Sequence, residues 1–359
     1  VKVLVVDDTI VYRKIIGDVL AEIPGVEVVG SASNGKIALS RINSLKPDLL
    51  TLDIEMPVMN GIEVLSSIKE NSQPVEAVML STLTSDGSDM TIRALELGAF
   101  DFISKPQTGT MSENKLAVKK ALTPIILAFQ KQKNRKTKFT PIKKLTTPVV
   151  KRPTPIKSSI RRPGTKSEII AIGISTGGPN ALSKMMPALP DNIGVPIVIV
   201  QHMPPMFTQS LAKSLNAKCA IDVKEAEDKE ILKPNTAYIA PGGKQMKIIA
   251  GADGKNRIIK ITDDPPENGC KPSADYLFRS VAHHFVGRAT GVIMTGMGSD
   301  GSAGLQLMKN TGATIIGQNA ATCTIYGMPK KPIESGIVDT VSPLNSIASE
   351  IVKTVKKSR

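Results

Sequence analysis

The sequence predicts an α/β protein of two domains, each a mainly parallel sheet flanked by helices, joined by a basic segment. Three observations carry this. Apolar runs of strand length alternate with stretches of helical spacing over residues 1–125, and again from 168 to 359. A chain of 359 residues is long for a single core. Thirteen Lys and Arg and no acid fall between Lys131 and Lys166, so most of the formal charge of +14 belongs to one stretch and the rest is nearly neutral. That segment reads as a solvated linker, with a polyanion-binding arm as the alternative.

In the first domain VKVLVV (1–6), VEVVG (26–30), DLLTL (48–52), AVMLS (77–81) and DFISK (101–105) read as strands. Ile10–Ile23 and Gly35–Leu45 have helical spacing, and a helix around Asn114–Gln130 closes the unit. The linker is expected over 126–167; its 131–167 part carries five prolines and reads as extended. In the second domain EIIAIGI, VPIVIV (195–200), TAYIA (236–240), KIIAG (247–251), RIIKIT (257–262), ATGVIMT (289–295) and ATIIGQ (313–318) are the candidate strands. Helices are expected at Asn180–Leu189, Met206–Asn216, Ser273–Phe285 and Ala303–Asn310. This domain is expected to be doubly wound and mainly parallel.

Composition excludes several classes. The absence of Trp and 3% aromatics argue against a stacking platform for single-stranded nucleic acid. Three widely spaced cysteines with no CxxC argue against a disulfide framework or a zinc site, and for a reduced, cytoplasmic protein. No apolar stretch approaches the ~20 residues of a membrane span, so no membrane insertion is expected.

Chemistry in an open parallel sheet gathers beyond the carboxyl ends of its strands. In the first domain those ends carry Asp7 and Asp8, Asp53, Ser81 and Thr82, and Lys105. Three carboxylates brought together require a cation, and oxygen donors suit Mg²⁺; the lysine suits a phosphoryl group. The motifs VLVVDD, LLTLDIEMPVMNG, VMLST and FISKP resemble the receiver domain of two-component response regulators, a flavodoxin-like fold, over essentially all of 1–125. The resemblance implies that Asp53 accepts the phosphoryl group and that Mg²⁺ is held by Asp7, Asp8, Asp53 and the Glu55 carbonyl. It makes Ser81 the switch hydroxyl, Phe102 the switch aromatic and Lys105 the phosphoryl contact. Asn60 stands where the family more often has Asp, and either residue suits that turn.

In the second domain AIGISTGGP matches G-x-S-x-G through Gly173, Ser175 and Gly177, the pattern of a nucleophile on a sharp strand-to-helix turn. Taken alone that pattern is weak, and a glycine-rich phosphate loop is a fair rival, although the Walker A ending and the G-x-G-x-x-G spacing are both absent. His202 follows the strand VIVQ, whereas His283 and His284 sit mid-helix and read as structural. Asp300 lies in the glycine-rich GMGSDG after another strand, where capping the next helix is its alternative role. A serine, an imidazole and a carboxylate at three strand ends suit nucleophilic hydrolysis, although the order Ser…His…Asp is not that of α/β-hydrolases. GISTGGP, VQHMP, YIAPGG, KPSADYLFRS and GVIMTGMGSDG together resemble the chemotaxis protein-glutamate methylesterase domain over 168–359.

That resemblance implies hydrolysis of glutamyl γ-methyl esters on chemoreceptors and deamidation of receptor glutamines, with no cofactor for the hydrolase. It implies Ser175 as nucleophile, His202 as base, Asp300 as its orienter, Thr176 beside the nucleophile and the Met297 N–H as oxyanion donor. It implies chemoreceptors as substrates, a chemotaxis histidine kinase as phosphodonor, no nucleic acid, and a receiver that covers the active site until Asp53 is phosphorylated. Gln245, where the family usually has His, and Asn319–Ala320, where it often has an acidic pair, depart from the pattern in the expected substrate groove.

Overall fold

The computed structural model describes residues 1–106, 108–138 and 166–355. The first domain runs β1 (Lys2–Val6), α1 (Ile10–Ala21), β2 (Glu27–Ala32), α2 (Gly35–Leu45), β3 (Leu49–Asp53), α3 (Gly61–Glu70), β4 (Glu76–Ser81), α4 (Ser85–Leu97), β5 (Asp101–Ser104) and α5 (Met111–Lys138). Its five strands pair in parallel in the order β2-β1-β3-β4-β5. The central strands are continuous apolar runs because helices cover both faces of the sheet. Asn60 caps α3: its side chain accepts from the Glu63 N–H while the Glu63 carboxylate accepts from the Asn60 N–H, so Asn serves this turn as Asp would.

The second domain runs β6 (Ile169–Ile174), α6 (Gly178–Met185), β7 (Ile197–Gln201), α7 (Phe207–Asn216), β8 (Asp222–Glu225), β9 (Thr236–Ile239), β10 (Gln245–Ala250), β11 (Arg257–Thr262), α8 (Ala274–His284), β12 (Ala289–Ile293), α9 (Ser302–Asn310), β13 (Thr314–Gln318), α10 (Lys330–Glu334), β14 (Thr340–Ser342) and α11 (Leu344–Val355). Seven strands form a parallel sheet in the order β14-β13-β12-β6-β7-β9-β8. The chain starts at the central β6, winds outward on one side, and returns to build the other. The winding therefore reverses between β6 and β12, where a crevice opens beyond the strand ends.

Several expectations shift. Strand candidates KIIAG and RIIKIT leave the main sheet and pair with each other as an antiparallel hairpin packed on α8. The strands β8 and β14 and the helices α10 and α11 were not expected; DVKE and TVS are short edge strands without an apolar run. The closing helix does not stop near 130, nor at the 125/126 boundary. It continues through Pro124 to Lys138, because Lys, Arg and Gln are good helix formers that need no apolar face once a helix is nucleated. The proline-bearing remainder of the expected linker, 139–165, lies outside the described residues. Among the described residues no disulfide joins Cys219, Cys270 or Cys323.

The two domains share a seam. The helix α4 lies against α6 and α7, and the apolar core is continuous from Met90, Leu97 and Phe102 to Phe207 and Leu211. Phe102 stacks on the fully buried Phe207 with ring centroids 4.5 Å apart; burying one such ring contributes roughly 1.5–3 kcal/mol. The buried hydroxyls of Ser88 and Ser210 share a 2.7 Å hydrogen bond, and Glu96 accepts from Ser214 at 2.6 Å and pairs with Lys218 at 2.5 Å.

Candidate active site

Two clusters of polar side chains stand at strand ends, one in each domain. In the first, Asp7 follows β1 and Asp53 ends β3, and Lys105 after β5 places its Nζ 2.7 Å from a carboxylate oxygen of each. Asp8 is exposed beside them, and oxygen atoms of Asp7, Asp8 and Asp53 lie within 4.8 Å of one another. Burial pushes the Asp53 carboxyl up, Lys105 pulls it back, and the Asp7 and Asp8 charges raise it again, to about 6. Burial alone would lower the Lys105 ammonium, but the Asp53 and Asp7 charges outweigh it and hold the group above its ordinary value. Ser81 is fully buried; its Oγ accepts from Thr91 Oγ1 at 2.7 Å and lies 3.3 Å from the Gly87 carbonyl, so it faces α4. Glu55 Oε1 accepts from Thr82 Oγ1 at 3.3 Å.

In the second domain Ser175 follows β6. The fully buried strand IIAIGI ends, and Gly177 adopts φ +76° as the cap of α6, with Pro179 in the first turn. A Cβ at Gly177 would lie 2.3 Å from Thr324 Oγ1, so glycine is required by both conformation and space. The Ser175 N–H donates to the Thr295 carbonyl at 2.9 Å, and its carbonyl accepts from the Gly178 N–H at 2.7 Å. A side chain at Gly296 would press within 2.7 Å of Ser175 Cβ. The Met297 N–H has no acceptor, and Ser175 Oγ no hydrogen-bond partner, among the described residues.

His202 follows β7. Its Nε2 lies 2.8 Å from Asp300 Oδ2, and its Nδ1 is 3.6 Å from Cys270 Sγ. Asp300, 3% exposed, sits at the start of α8. Its Oδ2 also accepts from the Ala274 N–H at 2.6 Å; its Oδ1 accepts from Ser273 Oγ and Asn268 Nδ2 at 2.9 Å and from the Asp275 N–H at 3.2 Å. Burial favours the protonated acid, but the His202 hydrogen bond and charge, with these further donors, hold the carboxyl far below the usual range. Burial lowers the imidazole, but the bonds to Asp300 and Cys270 and their charges raise it to about 9.

The structure thus joins His202 to Asp300 and holds Ser175 at the neighbouring strand end, while no hydrogen bond links Ser175 to His202 among the described residues. Thr176, 6% exposed, donates from Oγ1 to Asp101 Oδ2 of the first domain at 2.8 Å. Burial at the seam raises the Asp101 carboxyl to about 6 against the hydrogen bonds from Thr176 and the Phe102 N–H.

Sequence reasoning missed Asn268, Ser273, Cys270, Gln201 and Asp101. The Asn-Gly dipeptide at 268–269 marked a turn, and Ser273 stood where a helix cap belongs; nothing local tied either to Asp300, some thirty positions on. Gln245, noted only as a departure, is fully buried and accepts from the Ser273 N–H at 2.9 Å, so it braces the loop that bears Cys270.

A family model described as CheB methylesterase matches residues 170–351, and one described as response regulator receiver domain matches residues 3–116. Over 360 aligned residues the chain is 59% identical to a protein-glutamate methylesterase/protein-glutamine glutaminase of Desulfotalea psychrophila, covering 99% of this chain and 98% of that one. The chain belongs to the CheB methylesterase family. A Bacillus subtilis relative of the same name is 43% identical across 100% of this chain and 99% of its own length. The crystal structure of the Thermotoga maritima CheB methylesterase catalytic domain aligns with 53% of this chain and 99% of that chain, at 39% identity and a TM-score of 0.51. The alignments with these full-length relatives span both the receiver and the methylesterase match of this CheB family member. Among the described residues no helix is long and apolar enough to cross a membrane.

Proposed function

We propose that the chain hydrolyses glutamyl γ-methyl esters on chemoreceptors, releasing methanol, and deamidates receptor glutamines, under control of phosphorylation at Asp53. The observation that supports it most is the His202–Asp300 pair, held by five donors to one carboxylate at the same sheet end as Ser175. Ser175 Oγ attacks the γ-carbonyl. Its proton passes to His202 Nδ1, because Nε2 is committed to Asp300. The Met297 N–H, free of other acceptors, stabilises the oxyanion; one such donor is worth about 10²–10³ in rate. Methanol or ammonia leaves with the proton from His202, and water then cleaves the acyl-serine by the reverse sequence. The hydrolase needs no cofactor.

On this reading the machinery is at rest. An imidazole raised to about 9 is largely protonated at neutral pH, and its Nδ1 faces Cys270 rather than Ser175. The receiver occupies the mouth: Asp101 holds Thr176, next to the nucleophile, and Phe102 lies on Phe207. Phosphorylation opens the seam. Ser81 leaves Thr91 and Gly87 for the phosphoryl oxygens, Lys105 balances their charge, and the Phe102 face repacks.

The acidic pocket fits Mg²⁺, since its donors are all oxygen, are clustered within reach of one ion, and leave the exposed Asp8 side open to water ligands. Asp7, Asp8, Asp53 and the Glu55 carbonyl would hold it. When bound, the ion supplies charge neutralisation during phosphoryl transfer. A chemotaxis histidine kinase is the phosphodonor, the protein acts in the cytoplasm, and nucleic acid is not a partner. The test is methanol release from methylated receptor by wild type and Ser175→Ala, with and without a small phosphodonor. Wild type alone should turn over, and faster with the donor; turnover by Ser175→Ala would overturn the reading.

A further inference from the structure

Gln201 is the last residue of β7, directly before His202, and is 2% exposed. Its Nε2 donates to two backbone carbonyls, that of Ser175 at 3.1 Å and that of His202 at 3.2 Å. One amide nitrogen thus bridges the backbone of the nucleophile to that of the base. Its Oε1 is buried and has no donor among the described residues. This orientation follows from the partners, because two carbonyls require a donor and the oxygen must take the other side. There it lies over the start of α6, 1.8 Å from where a Cβ on Gly178 would stand. Glycine at 178 therefore makes room for this amide. Packing alone does not call for a buried amide whose oxygen lacks a donor, since an apolar side chain of this size would fill the space without that penalty.

We propose that Gln201 is a positioning residue that sets the distance between the Ser175 hydroxyl and the His202 imidazole. It touches no substrate and acts through the two residues whose carbonyls it holds. Backbone pairing remains without it, since β6 and β7 stay in register at Ile174 and Gln201 and the His202 N–H still donates to the Ile174 carbonyl at 3.1 Å. What is lost is the link beyond the last ladder bond, where both functional side chains depart. The inference rests on the reading that Ser175 and His202 act together.

The test measures kcat and KM for methanol release by the full chain with saturating phosphodonor, with thermal melts alongside. Gln201→Leu keeps the volume and removes both donated bonds. It should lower kcat 10–100-fold, the scale of a misplacement near 1 Å, and leave KM within about twofold. Gly178→Ala, which drives the amide from its seat, should do the same. Gln201→Glu supplies the distinguishing readout. Ionised, it faces two carbonyls with no donor; protonated, it donates one O–H. Its kcat relative to wild type should therefore rise at least about tenfold between pH 8 and pH 5.5. The titratable groups near the position are His202, behind it Asp300 and Cys270, and Asp101 on Thr176 beside Ser175, and the ratio to wild type cancels their titration. Neither β6 nor the first turn of α6 carries a titratable group.

A Gln201→Leu kcat within twofold of wild type, a loss confined to KM, or a flat ratio for Gln201→Glu would overturn the proposal. If neither Gln201 variant folds, the residue is structural and the proposal falls. Ser175→Ala is run in parallel: if it retains turnover, the underlying reading is wrong, whereas an inactive Ser175→Ala beside an unimpaired Gln201→Leu rejects the positioning role alone.

Discussion

Asp53 and Asp300 are both carboxylates buried at the end of a parallel sheet, yet they titrate in opposite directions. Asp53 is pushed up to about 6 and Asp300 far down. Burial acts alike on both; the difference lies in what surrounds each. Asp53 meets one cation, Lys105, and two further carboxylates. Asp300 meets the start of α8, with two backbone N–H groups, a hydroxyl, an amide and an imidazole all donating to it. A helix start commits an acid permanently to its charge, which suits a group that must orient a base through every turnover. A crowd of acids leaves the charge unresolved, which suits a group that waits for a cation and a phosphoryl group.

The largest effect that would break this contrast is at Asp300. Asp300→Asn should lower kcat by about 10⁴, the scale seen when such an acid loses its charge beside a histidine, with the fold intact by circular dichroism; a loss under tenfold would mean that Asp300 only caps α8. At the other acid, Asp53→Asn should abolish stimulation by phosphodonor in the methanol assay while leaving resting turnover in place, and chelation of divalent cations should do the same to wild type. Stimulation that survives either treatment would reject the acidic pocket as the control site.

A smaller effect is expected at the seam. Asp101→Ala removes the acceptor of Thr176 and should raise resting turnover about tenfold, in keeping with about 1.5–3 kcal/mol for a hydrogen bond to a charged group, with little change in the stimulated rate. Unchanged resting turnover would show that the seam does not restrain the hydrolase.

A further test is pH. With His202 at about 9, resting turnover should climb as pH rises from 7 toward 9, because only the neutral imidazole accepts a proton. The sign for stability is opposite. The folded pKa lies above the unfolded value near 6.5, so the stabilisation from His202 is complete below about pH 6.5 and is lost as pH rises through about 9. Thermal melts from pH 6 to 9.5 should fall in step, and Asp300→Asn should flatten that slope.

The acidic cluster of the first domain was legible because its parts sit at successive strand ends within about a hundred residues. Asp7, Asp53, Ser81 and Lys105 each follow a recognisable apolar run. The strand-end positions of Ser175, His202 and Asp300 were legible for the same reason. What escaped were groups whose role depends on a distant pairing. Asn268 and Ser273 look like a turn and a cap until β12 brings Asp300 to α8. Cys270 looks like an isolated thiol until the loop before α8 folds over His202. Asp101 is only the polar first residue of a strand in the sequence, and the docking of two independently patterned sheets sets it on Thr176. The end of α5 was misjudged because apolar spacing marks where a helix packs, not where it stops.

The seam carries one more consequence. Its continuity from Phe102, Met90 and Leu97 into Phe207 and Leu211 means that the halves are held largely by excluded apolar surface. Opening such a contact exposes that surface to water with a positive heat capacity, and attraction of this kind weakens on cooling. Temperature is therefore expected to shift the resting balance with no phosphoryl group involved: chilling should loosen the closure and warming should tighten it.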